Sequence, residues 1–136
     1  MVVSPPNFGL AVALYYKGDL KGSKDAFLRH LQANADDAKS LYNLGVISTE
    51  TGEGGEAEMW YRKCLEAVGR VGDEDKQGDG CRVNLAAGLV AGGGAGGVEE
   101  AVAILRGVQR GGGEWRWREK ASLALKEVGG GVGGEL

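Results

Sequence analysis

The chain has one histidine, two cysteines, two prolines and no long uninterrupted apolar run. Each shortage excludes something. His30, with no second histidine and no cysteine pair, leaves a zinc site without a ligand set. Cys64 and Cys81 make neither a disulfide framework nor a paired metal spacing, so as thiols they point to a reducing compartment. A membrane helix needs about 18 or more consecutive apolar residues, which the chain does not have, so no membrane partner is expected. Met1-Val2-Val3-Ser4-Pro5-Pro6 lacks the basic and apolar regions of a secretory signal, and a cytoplasmic location follows by default. Basic charge is also short: the net charge is −3. The nearest approach to a basic cluster, Arg116, Arg118 and Lys120, is interrupted by Glu119. No nucleic-acid partner is expected from that balance.

Glycine is abundant instead, with 26 of 136 residues against an average usage of about 7%. Much of it lies in the runs 92–97, 111–113 and 129–134. These have no collagen period and fall between helix-like segments, so they read as connectors and a loose tail.

Apolar spacing predicts helices over residues 7–17, 20–33, 37–51, 53–69, 81–91, 98–109 and 114–128. Pro5-Pro6 suits the opening of the first. The last places Trp117, Ala121, Ala124, Leu125 and Val128 on one stripe. Within this pattern the chain repeats itself. Leu10-Ala11, Gly18, Phe27 and Leu31 recur 34 residues later as Leu44-Gly45, Gly52, Tyr61 and Leu65. Asn84-Leu85-Ala86 echoes Asn43-Leu44-Gly45 at 41 residues, and Ala101 and Leu105 resume the pattern later still.

Leu41-Tyr42-Asn43-Leu44-Gly45, Gly52, Ala57, Tyr61 and Cys64-Leu65 together resemble the tetratricopeptide repeat family. In that family a Leu-Gly pair, a helix-ending glycine, a small residue and an aromatic recur in each helical pair. The first copy departs from the pattern at Ser23 and His30, and Ala35 replaces the proline usual between repeats. The third copy is degenerate. The resemblance implies an all-α fold, an α-solenoid of about three helix-turn-helix repeats over residues 4–37, 38–71 and 79–113. A capping helix at 114–128 completes a domain of residues 1–128, followed by a glycine-rich tail at 129–136. Gly45 and Ala57 are expected where the two helices of a repeat cross, and Tyr61 in the gap to the next helix.

Other chemistry-like patterns are better explained structurally. Gly92, Gly94 and Gly97 spell the dinucleotide fingerprint, but that motif requires a preceding strand and here follows a helix. No Walker-type phosphate loop exists. His30 reads as a packing or partly exposed imidazole, Cys64 as a small buried hydrophobe, and Cys81 as a thiol at a helix start. The carboxylate pairs Asp36-Asp37 and Glu99-Glu100 fall in turns or at helix starts, where they complement the helix dipole. Trp115 and Trp117 between Arg116 and Arg118 fit an amphipathic terminal helix.

No catalytic residues, metal or cofactors are expected. The resemblance implies a non-catalytic adaptor for protein–protein interaction, binding a peptide or amphipathic helix in a concave groove lined by the first helix of each repeat. Carried over by position, the groove is Phe8, Val12, Tyr15 and Tyr16, then Lys39, Tyr42, Asn43, Val46, Thr49 and Glu50, then Val83, Asn84, Ala87 and Val90. The clamp that grips acidic chaperone C-termini is not expected. Asn43 matches one of its positions, whereas Phe8, Val12, Gly80 and Asn84 stand at the others. The alternative is a structural section of a larger tetratricopeptide scaffold or multisubunit complex, with self-association through open repeat ends. A fragment accompanying a separate catalytic domain is the third reading.

Overall fold

The computed structural model describes residues 7–74 and 76–130. Those residues are all-helical, in the order α1 (Asn7–Lys17), α2 (Leu20–Ala33), α3 (Ala38–Glu50), α4 (Gly54–Val71), α5 (Gly78–Ala91), α6 (Ala95–Arg110) and α7 (Trp115–Gly130). They fall into two compact units, α1–α4 and α5–α7. In the first, α1 packs on α2, α3 on α4, and α2 on α3; in the second, α5 packs on α6, and α7 on both.

The hairpin turns show why the helices stop where they do. α1 ends at Gly18, whose φ of +97° is open to glycine at no steric cost. The Gly18 amide donates to the Tyr15 carbonyl and the Asp19 amide to the Leu14 carbonyl, capping the orphan carbonyls of the last turn. The α3–α4 turn repeats this geometry one step later. Gly52 has φ +81°, its amide donates to Thr49, and the Glu53 amide donates to Ser48. Gly93, φ +78°, donates to Val90 in the α5–α6 turn. Asp19 then starts α2, its carboxylate accepting from the Gly22 amide at 2.9 Å.

Burial follows the same register. Ser23 and Phe27 on α2, Ala57, Tyr61 and Cys64 on α4, and Ala101, Leu105 and Val108 on α6 are all buried. Opposite them lie Ala11 on α1, Gly45 on α3 and Ala86 on α5, also buried. The contact at Gly45 is closer than a small-residue rule requires. A Cβ there would stand 2.3 Å from Tyr61 Cε1, so the ring rests directly on the α3 backbone. Tyr61 therefore fills the space within its own hairpin, where the sequence pattern places it toward the next helix. In the first hairpin a hydroxyl takes part in the crossing: Ser23 Oγ donates to the Ala11 carbonyl at 2.7 Å.

Several boundaries differ from expectation, and glycine is the reason each time. α4 continues through Gly69 to Val71, because an interior helical glycine costs only about 1 kcal/mol and Ala67 anchors that turn in the core. Gly72, at φ +95°, ends it. α5 begins at Gly78, three residues before its expected start, and α6 at Ala95, inside the glycine-rich run 92–97. Gly97 has a packing role there: a Cβ would lie 3.0 Å from the Leu89 carbonyl oxygen, so its absence lets α6 start against the end of α5. α7 runs to Gly130, taking in the first two residues of the expected tail; residues 131–136 and Pro5-Pro6 lie outside the described residues. The thiol reading is also corrected, because neither Cys64 nor Cys81 is a free thiol.

Candidate partner-binding face

Two side-chain contacts set α1 beside α3. Near the N-terminal ends, Lys39 Nζ lies 5.9 Å from the centre of the Phe8 ring. Near the C-terminal ends, the Tyr15 hydroxyl donates to Glu50 at 2.5 Å. The two helices therefore run side by side in the same direction, and they carry the first two groups of predicted groove residues.

These residues divide by what they touch. Phe8, Val12 and Tyr15 are partly buried and pack against the core of Ala11, Ala26, Phe27, Leu44 and Ile47. The Phe8 ring meets Phe27 edge-on at 5.6 Å and His30 at 5.5 Å, so most of it serves the hairpin interior. Tyr16 is the opposite case, 82% exposed, with its ring at 81° to that of Tyr15 and 5.5 Å away. Tyr42 is half-buried, its ring 6.2 Å from Tyr61. Asn43 and Val46 are half-buried, while Lys39, Thr49 and Glu50 are exposed. Thr49 turns its hydroxyl back to the Gly45 carbonyl at 2.9 Å, so it offers little to a ligand.

The third group lies in the second unit. There Val83 is buried in the core with Ala86, Leu105 and Trp117, Val90 packs against that core, and Asn84 is half-buried. The second unit thus uses two of the predicted groove residues for its own interior.

Electrostatics mark the end of this face that carries Tyr15 and Glu50. Tyr15 is pushed up to about 12 from its ordinary 10.0, first because its hydroxyl donates to Glu50 and then through desolvation. Ionising it would put two negative charges in contact. Sequence reading places both residues on the groove but does not pair them. The one available signal is that Glu50 stands a single repeat step after Tyr16, at the C-terminal end of the neighbouring first helix.

A second polar cluster was not legible in the sequence. Lys24 Nζ lies 2.6 Å from Glu56 Oε1, which also accepts from the buried Ser48 hydroxyl at 3.1 Å. The Lys24 contact, then the Ser48 hydrogen bond, holds Glu56 below the ordinary carboxylate range against an opposing desolvation penalty. Glu56 in turn raises Lys24.

His30 sits in a third cluster. Its Nε2 is 2.9 Å from Asp37 Oδ2, and the same oxygen accepts from Ser40 Oγ at 2.7 Å. The residue types are those of a nucleophilic triad, but the order is wrong. Activation needs the imidazole between hydroxyl and carboxylate, whereas here the carboxylate stands between the other two. The cluster ties the end of α2 to the start of α3. Among the described residues no group of three or more His, Cys, Asp or Glu could hold a metal ion, and no helix is long and apolar enough to cross a membrane.

No family model matches the chain, and no curated protein matches its sequence. The likeness to tetratricopeptide repeats rests on the repeated residues.

Proposed function

We propose that the chain is a tetratricopeptide-like, non-catalytic interaction module. In this reading it is an α-solenoid segment whose α1/α3 face receives a peptide or amphipathic helix of another protein. The supporting observation is the combination on that face of an 82%-exposed Tyr16 with half-buried Tyr42 and Asn43. An aromatic ring held mostly in water contributes little to its own fold, but gives a partner large contact area at small entropic cost. The Asn43 amide on the neighbouring α3 can pair with a peptide backbone.

Photo-crosslinking tests this. A photoreactive residue at position 16 is expected to capture a partner from source-cell lysate, with capture reduced by Tyr42→Phe/Asn43→Ala, which leaves the Tyr42 ring packed. Equal capture from position 66 on α4, and none specific to position 16, sinks the proposal.

The scaffold reading has its own support in the exposed apolar residues of the first and last helices. Leu10 on α1, and Trp115 and Leu123 on α7, are exposed, as expected of faces that meet further repeats. Concentration-dependent sedimentation, abolished by Leu10→Lys or Leu123→Lys, would favour it; a monomer at all concentrations would count against it.

A further inference from the structure

The structure points to a cation receptor at the C-terminal end of the α1/α3 face, and we propose that Tyr15, Tyr16 and Glu50 together hold one arginine or lysine side chain of the partner. The inference rests on the α1/α3 reading for its partner, but not for its chemistry. The two rings stand almost perpendicular, 81° apart with centres 5.5 Å apart, and form two walls of a corner. One wall is fixed, because Tyr15 packs against the first unit's core and its hydroxyl is tied to Glu50. The other, Tyr16, is open to water.

Glu50 supplies the charge. Its carboxylate is exposed and accepts from the Tyr15 hydroxyl, but no described lysine or arginine pairs with it. The other carboxylates near the α3–α4 turn differ: Glu56 and Glu53 both have Lys24 within 4 Å, at 2.6 and 3.8 Å. A carboxylate with its charge uncompensated, hydrogen-bonded to the rim of an aromatic pair, is complementary to a guanidinium or ammonium group. An acidic ligand would meet repulsion here. A purely apolar one would cover Glu50 without satisfying it.

The hydrogen bond also orients the site. By donating to Glu50, Tyr15 occupies one acceptor position of the carboxylate and leaves the rest for an incoming donor. Glu50→Gln separates this role from charge, since the amide oxygen still accepts from Tyr15 while the negative charge is lost.

The test is an NMR titration of the full chain with N-acetylarginine amide beside its neutral isostere N-acetylcitrulline amide. Arginine is expected to shift the Tyr15, Tyr16 and Glu50 signals saturably, with affinity on the order of millimolar, and citrulline to shift them far less. Glu50→Gln and Tyr16→Ala should each weaken the arginine response roughly threefold or more, with helicity unchanged. An equal response to citrulline, an undiminished response in Glu50→Gln, or no response at these residues overturns the proposal. The outcomes stay distinct from those of the crosslinking experiment. A partner captured at position 16 without any arginine response keeps the face and removes the receptor. An arginine response without a captured partner keeps the receptor and removes the face.

Discussion

The two units solve the same packing problem with different means. In the first, Tyr15–Glu50 joins α1 to α3, Lys24–Glu56 joins α2 to α4, and Arg70 reaches Asp36 in the α2–α3 connector, beside local pairs such as Arg62–Glu58. In the second, Arg82–Asp79 and Arg116–Glu114 are local pairs, and Gln109–Ser122 joins α6 to α7 at the surface. The second unit carries one apolar seam from Val83 and Ala86 through Leu105 and Val108 to Trp117 and Ala121. Side-chain bonds between distant residues add directional constraints on register to those that close packing imposes. Glycine adds to the contrast, because the runs at 92–94 and 111–113 cost more conformational entropy to order than the turns of the first unit. The first unit should therefore be the more rigid. Amide exchange is expected to be slower in α3–α4 than in α5–α6, and equal protection would erase the distinction.

The largest effects should come from emptying each core. Phe27→Ala and Leu105→Ala remove fully buried side chains, and each should cost about 2–5 kcal/mol. If the units are separate stability elements, Phe27→Ala will accelerate exchange mainly in α1–α4 and Leu105→Ala mainly in α5–α7. A uniform loss of protection from either would mean that the chain unfolds as one body.

Glycine gives a sharper test because its sign should differ between units. Gly45→Ala drives a methyl into the buried Tyr61 ring, and overpacking of that kind costs about 1–3 kcal/mol. A methyl added at Gly88, on α5, would meet nothing within 4 Å. Gly88→Ala should therefore stabilise by about 0.5–1 kcal/mol through helix propensity alone. Thermal unfolding of the two variants checks both signs. A neutral Gly45→Ala would show that Tyr61 can swing aside.

How much of this could be read in the sequence depends on whether the signal is local. The Gly18 and Gly52 turns were legible because a left-handed residue after an apolar periodic stretch leaves a fixed mark. So was the stripe from Trp117 to Ala121. The extents of α4, α5 and α6 were not, since glycine within a helix and glycine in a loop look alike until packing decides, as it does at Gly97. The positions expected on the face could be listed from the sequence, but not which of them pack inward and which stay in water. Nothing local distinguishes Phe8, turned toward Phe27, from Tyr16, left in water. The Glu56 cluster was invisible because its partners lie 32 and 8 residues away on other helices.

That cluster sharpens the comparison through pH. Glu56 is held below its ordinary 4.5, so its contribution is complete above that value and drains away as pH falls through the lower folded one. Lys24 is raised above 10.5, so its share is complete below that value and is lost as pH climbs through the higher folded one. Both side chains are partly solvated, which screens the pair to about 1 kcal/mol or less. Lys24→Met should remove that much from the first unit at neutral pH and flatten its acid limb. An acid limb unchanged in the variant would assign acid sensitivity to other carboxylates.

The smallest effect should be the most specific. The neutral Tyr15 hydroxyl is the form that donates to Glu50, so ionisation is postponed from 10.0 to about 12. Its contribution to stability is complete below pH 10 and is lost as pH rises toward 12, the direction that follows from a raised folded value. Absorbance titration of the tyrosinates in the folded chain should include a late step from Tyr15, and Tyr15→Phe should remove that step. Glu50→Gln should move the step earlier, since the charge is gone while an acceptor remains. Stability at neutral pH should fall by under about 1 kcal/mol in Tyr15→Phe, because the bond is exposed and the ring stays packed. If the full late amplitude survives Tyr15→Phe, the Tyr15–Glu50 hydrogen bond between α1 and α3 is not what postpones ionisation.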